Sequence, residues 1–182
     1  RLRAGYTDVG KDFRSDIGFI RRVDYKKMLL GGGQTWYGEE GEPITQWGYY
    51  GDWDKTYDQN GLLLEEEWEL SANIQGPMQL FANGRLISRN QYFNGQYFEE
   101  NQISIFSEIT PRSGLSFRMF SRFGKQVDFS NTQLGEVFAI VPTINWQLGR
   151  NFSLRIRHDY TRLNVNGGRL FTANQTDSKF TY

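Results

Sequence analysis

The feature that most constrains the fold is the strict alternation of apolar and polar residues in short runs, clearest between Leu62 and Ile74. One side of this run carries Leu62, Leu64, Trp68, Leu70, Ala72 and Ile74, interrupted only by Glu66. The other side carries Leu63, Glu65, Glu67, Glu69, Ser71 and Asn73. Because successive side chains of a β-strand point to opposite faces, the run predicts a strand with one apolar and one acidic face.

Runs of this kind recur along the chain and predict an all-β fold of about ten antiparallel strands. The predicted strands cover residues 1–8, 18–37, 44–58, 62–75, 78–90, 102–110, 115–126, 134–148, 152–165 and 171–182. Most of them reach the roughly 9–11 residues that a tilted membrane-spanning strand needs. The second strand is the least regular, because three consecutive glycines, residues 31–33, give it no side chains to pattern. Such glycines permit sharp coiling of a strand or leave room for an inserted plug or loop.

The predicted connections fall into two sets that alternate along the chain. Residues 38–43, 76–77, 111–114 and 149–151 form a set of mostly tight turns rich in Gly and Pro. Residues 9–17, 58–61, 91–101, 127–133 and 166–170 form a mostly longer and more polar set. Alternating short turns and longer loops are typical of an up-and-down barrel, so we expect short turns at one rim and long loops at the other.

The charged positions share one side of their strands and predict the wall of an aqueous lumen. The residues assigned to this wall are Glu65, Glu67, Glu69, Arg118, Arg122, Arg155 and Arg157. In a membrane barrel the apolar side faces lipid and the charged side faces water. In a soluble sandwich the apolar sides would instead pack against each other. Alternation alone leaves both architectures open, and the transmembrane barrel is the architecture that we predict.

Tryptophan and tyrosine add weight to the barrel. Such rings collect at membrane interfaces because the ring is apolar and its edge carries a hydrogen-bonding group. Trp47, Trp53, Trp68 and Trp146 are assigned to the interface. The alternative is a soluble carbohydrate-binding β-sandwich, in which Trp47, Tyr49 and Trp53 would form a stacking platform for sugars.

Composition argues against several kinds of function. The 21 basic and 21 acidic residues balance, so no basic excess exists to follow a phosphate backbone, and nucleic acid is not expected as a partner. Cysteine is absent, which removes disulfides and thiolate chemistry. His158 is the one histidine, and a hydrolase triad would need it beside a nucleophile and a carboxylate. We predict no catalytic residues, no metal site and no cofactor.

Two segments carry a family resemblance. Tyr6 to Phe13 reads Tyr-Thr-Asp-Val-Gly-Lys-Asp-Phe, and Ile17 to Tyr25 reads Ile-Gly-Phe-Ile-Arg-Arg-Val-Asp-Tyr. These segments resemble the C-terminal barrel of a bacterial envelope family, domain of unknown function 5916. Residues 151–182, with Gly167-Gly168 between two strands, resemble the closing strands of that barrel. The resemblance implies that residues 1–182 are the C-terminal portion of a larger barrel, whose proteins usually carry an N-terminal domain similar to family-nine carbohydrate-binding modules.

We therefore expect an outer-membrane β-barrel protein of a Gram-negative bacterium that is not an enzyme. Its expected role is passive transport or surface binding of a polar or saccharide solute through a charged lumen. Membrane lipid is the expected partner of the apolar face. The chain opens at Arg1 with no apolar export signal ahead of its first strand, which suggests a mature or partial chain.

Overall fold

The computed structural model describes residues 1–14 and 22–182, and these residues form one antiparallel β-sheet of ten strands. The strands are β1 (Leu2–Val9), β2 (Tyr25–Tyr37), β3 (Gln46–Asp58), β4 (Leu63–Gly76), β5 (Leu80–Phe93), β6 (Gln96–Arg112), β7 (Leu115–Asp128), β8 (Gln133–Leu148), β9 (Phe152–Val165) and β10 (Gly168–Thr181). The remaining regular element is one turn of 3-10 helix, Pro77–Gln79.

Each strand pairs with the next along the chain, from β1 to β10, so the sheet has up-and-down topology. The predicted all-β class, antiparallel pairing and strand number are confirmed. Within the described residues β1 and β10 do not pair with each other, so the sheet is open. These residues also contain no second sheet, and a sandwich core therefore does not form among them.

The predicted alternation of short turns and long loops is wrong. Residues 91–101 and 166–170 were expected to be long loops. Instead β5 and β6 join through Asn94-Gly95, and β9 and β10 join through Asn166-Gly167. All four linking residues have positive φ, as two-residue hairpin turns of Asn-Gly require. The β2–β3 connection, residues 38–45, was assigned to the tight set by position although it was expected to be longer, and it is longer than either of these turns.

The boundaries of several predicted strands also shift. β6 begins at Gln96 and ends at Arg112, whereas the sequence pattern predicted residues 102–110. β2 begins at Tyr25, so residues 22–24 of the predicted second strand are not part of it. Residues 15–21, which include the start of the predicted second strand and part of the family-like segment, lie outside the described residues.

Strand registers assign every side chain to one of two faces. The apolar face is defined by paired residues such as Leu70 and Leu86, and the charged face by pairs such as Glu67 and Arg89. Residues directly opposite in an antiparallel pair lie on the same face, so these assignments carry across the whole sheet.

The two faces differ in burial. Among the described residues, eight buried side chains lie on the charged face, including Asp54, Thr56, Glu100, Ala139 and Thr143, and two, Ser121 and Val127, lie on the apolar face. On the apolar face, large side chains remain exposed on β2 through β9; this exposed set includes Leu30, Trp68, Leu70, Leu86, Ile103, Phe117 and Ile156. Side chains on the inside of a curved sheet converge, and those on the outside spread apart. Because the described residues hold no second sheet, the difference indicates that the sheet curves toward the charged face.

Glycine positions support this curvature. A Cβ atom added to Gly33, on the charged face, would collide with the carbonyl oxygen of Tyr49 on β3. A Cβ atom on Gly84, on the apolar face, would meet nothing within 4 Å. Gly31 and Gly33 therefore let β2 approach β3 closely, whereas a Cβ atom on Gly32, on the apolar face, would meet Leu2 of β1.

Candidate functional site: the charged face of the sheet

The centre of the charged face on β4, β5 and β6 is one cation among three carboxylates. Arg89 pairs with Glu67, with Glu65 at 3.8 Å and with Glu100 at 3.4 Å. Glu100 is buried and also accepts a hydrogen bond of 2.8 Å from the backbone N–H of Val127. A buried carboxylate is costly unless it is paired and hydrogen-bonded, and Arg89 supplies that pairing.

Further ion pairs flank this cluster on the same face. Lys27 on β2 lies 3.0 Å from the buried Asp54 on β3. Arg85 on β5 lies 3.2 Å from Glu69 on β4. These contacts and the Arg89 cluster form a band of paired charges from β2 to β6 in which carboxylates outnumber cations. We call this part of the charged face, on β2 to β6, its acidic half.

The rest of the charged face, on β7 to β10 together with Glu108 at the far end of β6, is richer in cations, and we call it the basic half. Arg118 lies 2.8 Å from Glu108, and Arg157 holds Asp159 through its Nε and Nη2 atoms at 2.7 Å each. The Nε atom of Arg122 is buried and has no hydrogen-bond partner within the described part of the chain. Arg155 lies directly opposite Lys179 on β10. A face with an acidic half and a basic half creates an electrostatic field along the sheet.

All seven residues predicted to line a lumen lie on this one face. Glu65, Glu67 and Glu69 come from β4, Arg118 and Arg122 from β7, and Arg155 and Arg157 from β9. The structure brings the three glutamates together with Arg85 and Arg89, which the sequence reasoning missed. Alternation within a strand does not specify the register that sets Glu67 opposite Arg89, so the sequence pattern held no signal for this contact.

The four tryptophans predicted at an interface all lie on the apolar face. One rim of the sheet contains the connections β2–β3, β4–β5, β6–β7 and β8–β9, and we call it the Pro77 rim. Near this rim the Trp47 ring stacks on the Trp36 ring, with centroids 6.4 Å apart. Trp146 lies near the same rim beneath the Arg112 guanidinium, 5.9 Å from its ring. Trp53 and Trp68 contact each other at 5.8 Å, closer to the opposite rim.

That opposite rim, which we call the Gly95 rim, contains the connections β3–β4, β5–β6, β7–β8 and β9–β10. The rings of Tyr92 and Tyr97 lie there, 5.1 Å apart. Aliphatic residues such as Leu70, Leu86 and Ile103 occupy the apolar face between the two aromatic groups.

His158 lies on the apolar face, where its Nδ1 atom is 2.8 Å from the Thr176 hydroxyl. The neighbouring carboxylate of Asp159 points to the charged face and pairs with Arg157. The described part of the chain holds no group of three or more His, Cys, Asp or Glu that could bind a metal ion. It also holds no helix with the length and apolar character needed to cross a bilayer.

The comparisons with known proteins give no relative from which a role could be read. No family model, no curated protein and no solved structure matches this chain.

Proposed function

We propose that the sheet is part of the wall of an outer-membrane β-barrel, with its apolar face toward lipid and its charged face toward an aqueous interior. The observation that carries the proposal is the exposure of the apolar face. Leu70, Leu86 and Ile103 are each about half exposed at its centre, at 50%, 49% and 48%. Soluble monomers rarely expose contiguous apolar patches of this extent, whereas barrel walls present an apolar band to lipid.

The dimensions of the band are suitable. On β7 the apolar row runs from Leu115 to Phe123, which is eight residue steps along the strand. At a rise of about 3.4 Å per residue this is roughly 27 Å. A tilt of about 40° reduces the height to roughly 21 Å, near the approximately 25 Å band of outer-membrane barrels. Aromatic groups toward both rims match the aromatic girdles of such barrels.

The open edges of the sheet fit a portion of a larger wall. Hydrocarbon offers no hydrogen bonds to backbone groups, so a membrane-spanning sheet must pair its edge strands. All side chains of β10 are exposed, and its outer edge is free within the described residues. Pairing of β1 and β10 with additional strands, as the resemblance to domain of unknown function 5916 implies, would complete the ring.

The function that follows is passive passage or holding of a polar solute along the charged face. Paired cations and carboxylates such as Arg89 and Glu67 keep this face compatible with water. The acidic and basic halves would favour solutes with separated charges, because rings of charged side chains set selectivity in pores.

Conductance of the full-length barrel in planar lipid bilayers tests this function. The expected result is stepwise ion current, with selectivity that shifts toward cations in Arg122→Gln. Lys125→Gln is the matched control, because it removes one positive charge from the apolar face and should leave selectivity unchanged. A barrel that inserts into lipid and carries no current, or variants that shift selectivity equally, would exclude transport along this face.

A further inference from the structure

Near the Pro77 rim two cations face each other, and neither has an acidic partner among residues 1–14 and 22–182. Arg155 on β9 and Lys179 on β10 are direct cross-strand neighbours on the charged face. Like charges directly opposite each other destabilise a strand pair. Both side chains are exposed, and both line the same two surface recesses.

The nearby carboxylates are already engaged. Glu108 pairs with Arg118 at 2.8 Å, and Asp159 pairs with Arg157 at 2.7 Å. Asp177, the acid nearest in sequence to Lys179, accepts hydrogen bonds of 3.1 and 3.3 Å from the Gln175 side-chain amide. In the described parts of the chain, no carboxylate lies within 4.0 Å of the charged nitrogens of Arg155 or Lys179.

The larger recess beside the two cations is lined mainly by hydroxyl, amide and apolar groups, and its one carboxylate, Glu108, is paired with Arg118. Ser153 and Thr181 are cross-strand neighbours one pair nearer the Pro77 rim on the charged face. Asn145 lies opposite Arg155 on β8, and its amide donates to the Ser116 hydroxyl at 3.2 Å. The recess has a volume of about 510 Å³. It therefore combines two full positive charges with neutral donors and enough space for a small solute.

We propose that Arg155 and Lys179 form a binding subsite for a tetrahedral oxyanion, the phosphate or sulfate group of a solute. The planar guanidinium presents paired N–H donors to two oxygens of such a group, and the lysine adds a second charge. Ser153 and Thr181 hydroxyls complete the donor set. An anion between the two cations removes their mutual repulsion. The inference deepens the proposed function, because it names the chemistry of a solute on the water-facing wall.

The test is a titration of the full-length protein in detergent micelles with inorganic phosphate and, separately, with sulfate, at constant ionic strength. We expect saturable binding that shifts the backbone amide signals of Ser153 and Thr181. Arg155→Gln and Lys179→Gln should each weaken it by about tenfold or more. Lys125→Gln, the matched control on the apolar face, should change it less than twofold. Absence of saturable binding, or equal weakening by all three substitutions, would overturn the subsite.

Thermal unfolding gives an independent check. Without phosphate, Lys179→Gln should raise the midpoint slightly, because the repulsion from Arg155 is gone. Phosphate should raise the midpoint of the natural protein and not that of the variant. A midpoint that falls in the variant, or that phosphate raises equally in both proteins, counts against the subsite. The conductance experiment tests transport and not the subsite. A barrel that binds phosphate through Arg155 and Lys179 but carries no current would exclude transport and would still support the subsite.

Discussion

The indole N–H of Trp53 donates a hydrogen bond of 3.0 Å to the carboxylate of Glu66, across the β3–β4 pair on the apolar face. Lys55 lies 3.1 Å from the same carboxylate, and its ammonium group is 5.5 Å from the Trp53 ring centre. Glu66 is the acid that interrupts the apolar row of β4. Lys55 balances the charge of Glu66, Trp53 satisfies one of its oxygens, and the group marks the polar boundary of the apolar band.

Removing the indole donor should weaken this boundary. Trp53→Phe keeps an aromatic ring and leaves Glu66 with Lys55 alone, so we expect a loss of about 1 kcal/mol in unfolding free energy, the usual net value of one hydrogen bond. Urea unfolding in lipid vesicles measures it. Trp47→Phe is the control, because Trp47 stacks on Trp36 at the same face. Equal losses in the two variants would mean that the hydrogen bond to Glu66 contributes nothing measurable.

A charge should be tolerated on one face of β4 and not on the other. Leu70 lies at the centre of the apolar face, and Asn73 lies three residues away on the charged face. In lipid, Leu70→Lys should cost about 2–4 kcal/mol, the range measured near a bilayer midplane. Asn73→Lys should cost well under about 1 kcal/mol, as for a lumen-facing position. The unfolding free energies of the two variants in lipid vesicles test this difference. Similar losses for Leu70→Lys and Asn73→Lys would place Leu70 outside the hydrocarbon.

The Arg89 cluster should be the most sensitive ion-pair site of the charged face. Arg89→Met leaves the buried Glu100 and its neighbours Glu65 and Glu67 without a cation. Loss of one partner of a buried pair costs about 3–5 kcal/mol, and because Arg89 is about one-third exposed we expect roughly 2–3 kcal/mol. Arg85→Met, which removes a more exposed pair with Glu69, should cost less than about 1 kcal/mol. Denaturant unfolding compares the two, and a larger effect at Arg85 would contradict this ranking.

The strands and their faces could be predicted from the sequence because their signal is local. Alternation in β4, β7, β8 and β9 placed Glu67, Arg118 and Arg157 on one face, and strand pairing keeps them there. Contacts between strands were beyond this reasoning. The partners of Arg89 depend on the register of three strands, and alternation within one strand does not specify it.

The strand ends were predicted least well, for a related reason. Near the Gly95 rim both faces of β5 and β6 carry aromatic as well as polar residues, so alternation stops at residue 90 and resumes at residue 102. Backbone hydrogen bonds do not depend on side-chain polarity, and the pairing continues to Phe93 and Gln96. Asn94-Gly95 is a strong hairpin signal, and giving it priority over polarity would have located this turn correctly.

Acid should loosen the β7–β8 turn. Asp128, beyond the apolar band at the end of β7, accepts hydrogen bonds from the side-chain amides of Asn131 at 2.6 Å and Gln133 at 3.0 Å. These bonds hold its pKa below the ordinary value for aspartate. A lowered folded pKa stabilises the protein above the unfolded pKa of about 3.9, and this stabilisation is lost as pH falls through the folded pKa.

Asp128→Asn should therefore be less stable than the natural protein at pH 7, and the difference should shrink below about pH 4. Denaturant midpoints at pH 7 and at pH 3 measure it. The control is Glu40→Gln, which removes an exposed carboxylate from the β2–β3 connection and should change neither midpoint. A stability difference for Asp128→Asn that persists unchanged at pH 3 would rule out the ionised carboxylate as its source.

Curvature toward the charged face predicts opposite outcomes for two Gly→Ala substitutions. At Gly33 the added methyl group would meet the Tyr49 carbonyl oxygen, so β2 would have to move away from β3 and strain their ladder. We expect a loss of about 1–3 kcal/mol, as for other overpacked sites.

At Gly84 the methyl group enters open space on the apolar face, and alanine restricts the unfolded chain. Stability should stay the same or rise by up to about 1 kcal/mol. Unfolding free energies of the two variants compare the faces directly. Equal tolerance of alanine at both positions would show that the charged side of the sheet has room to spare, and the sheet would then not curl toward it.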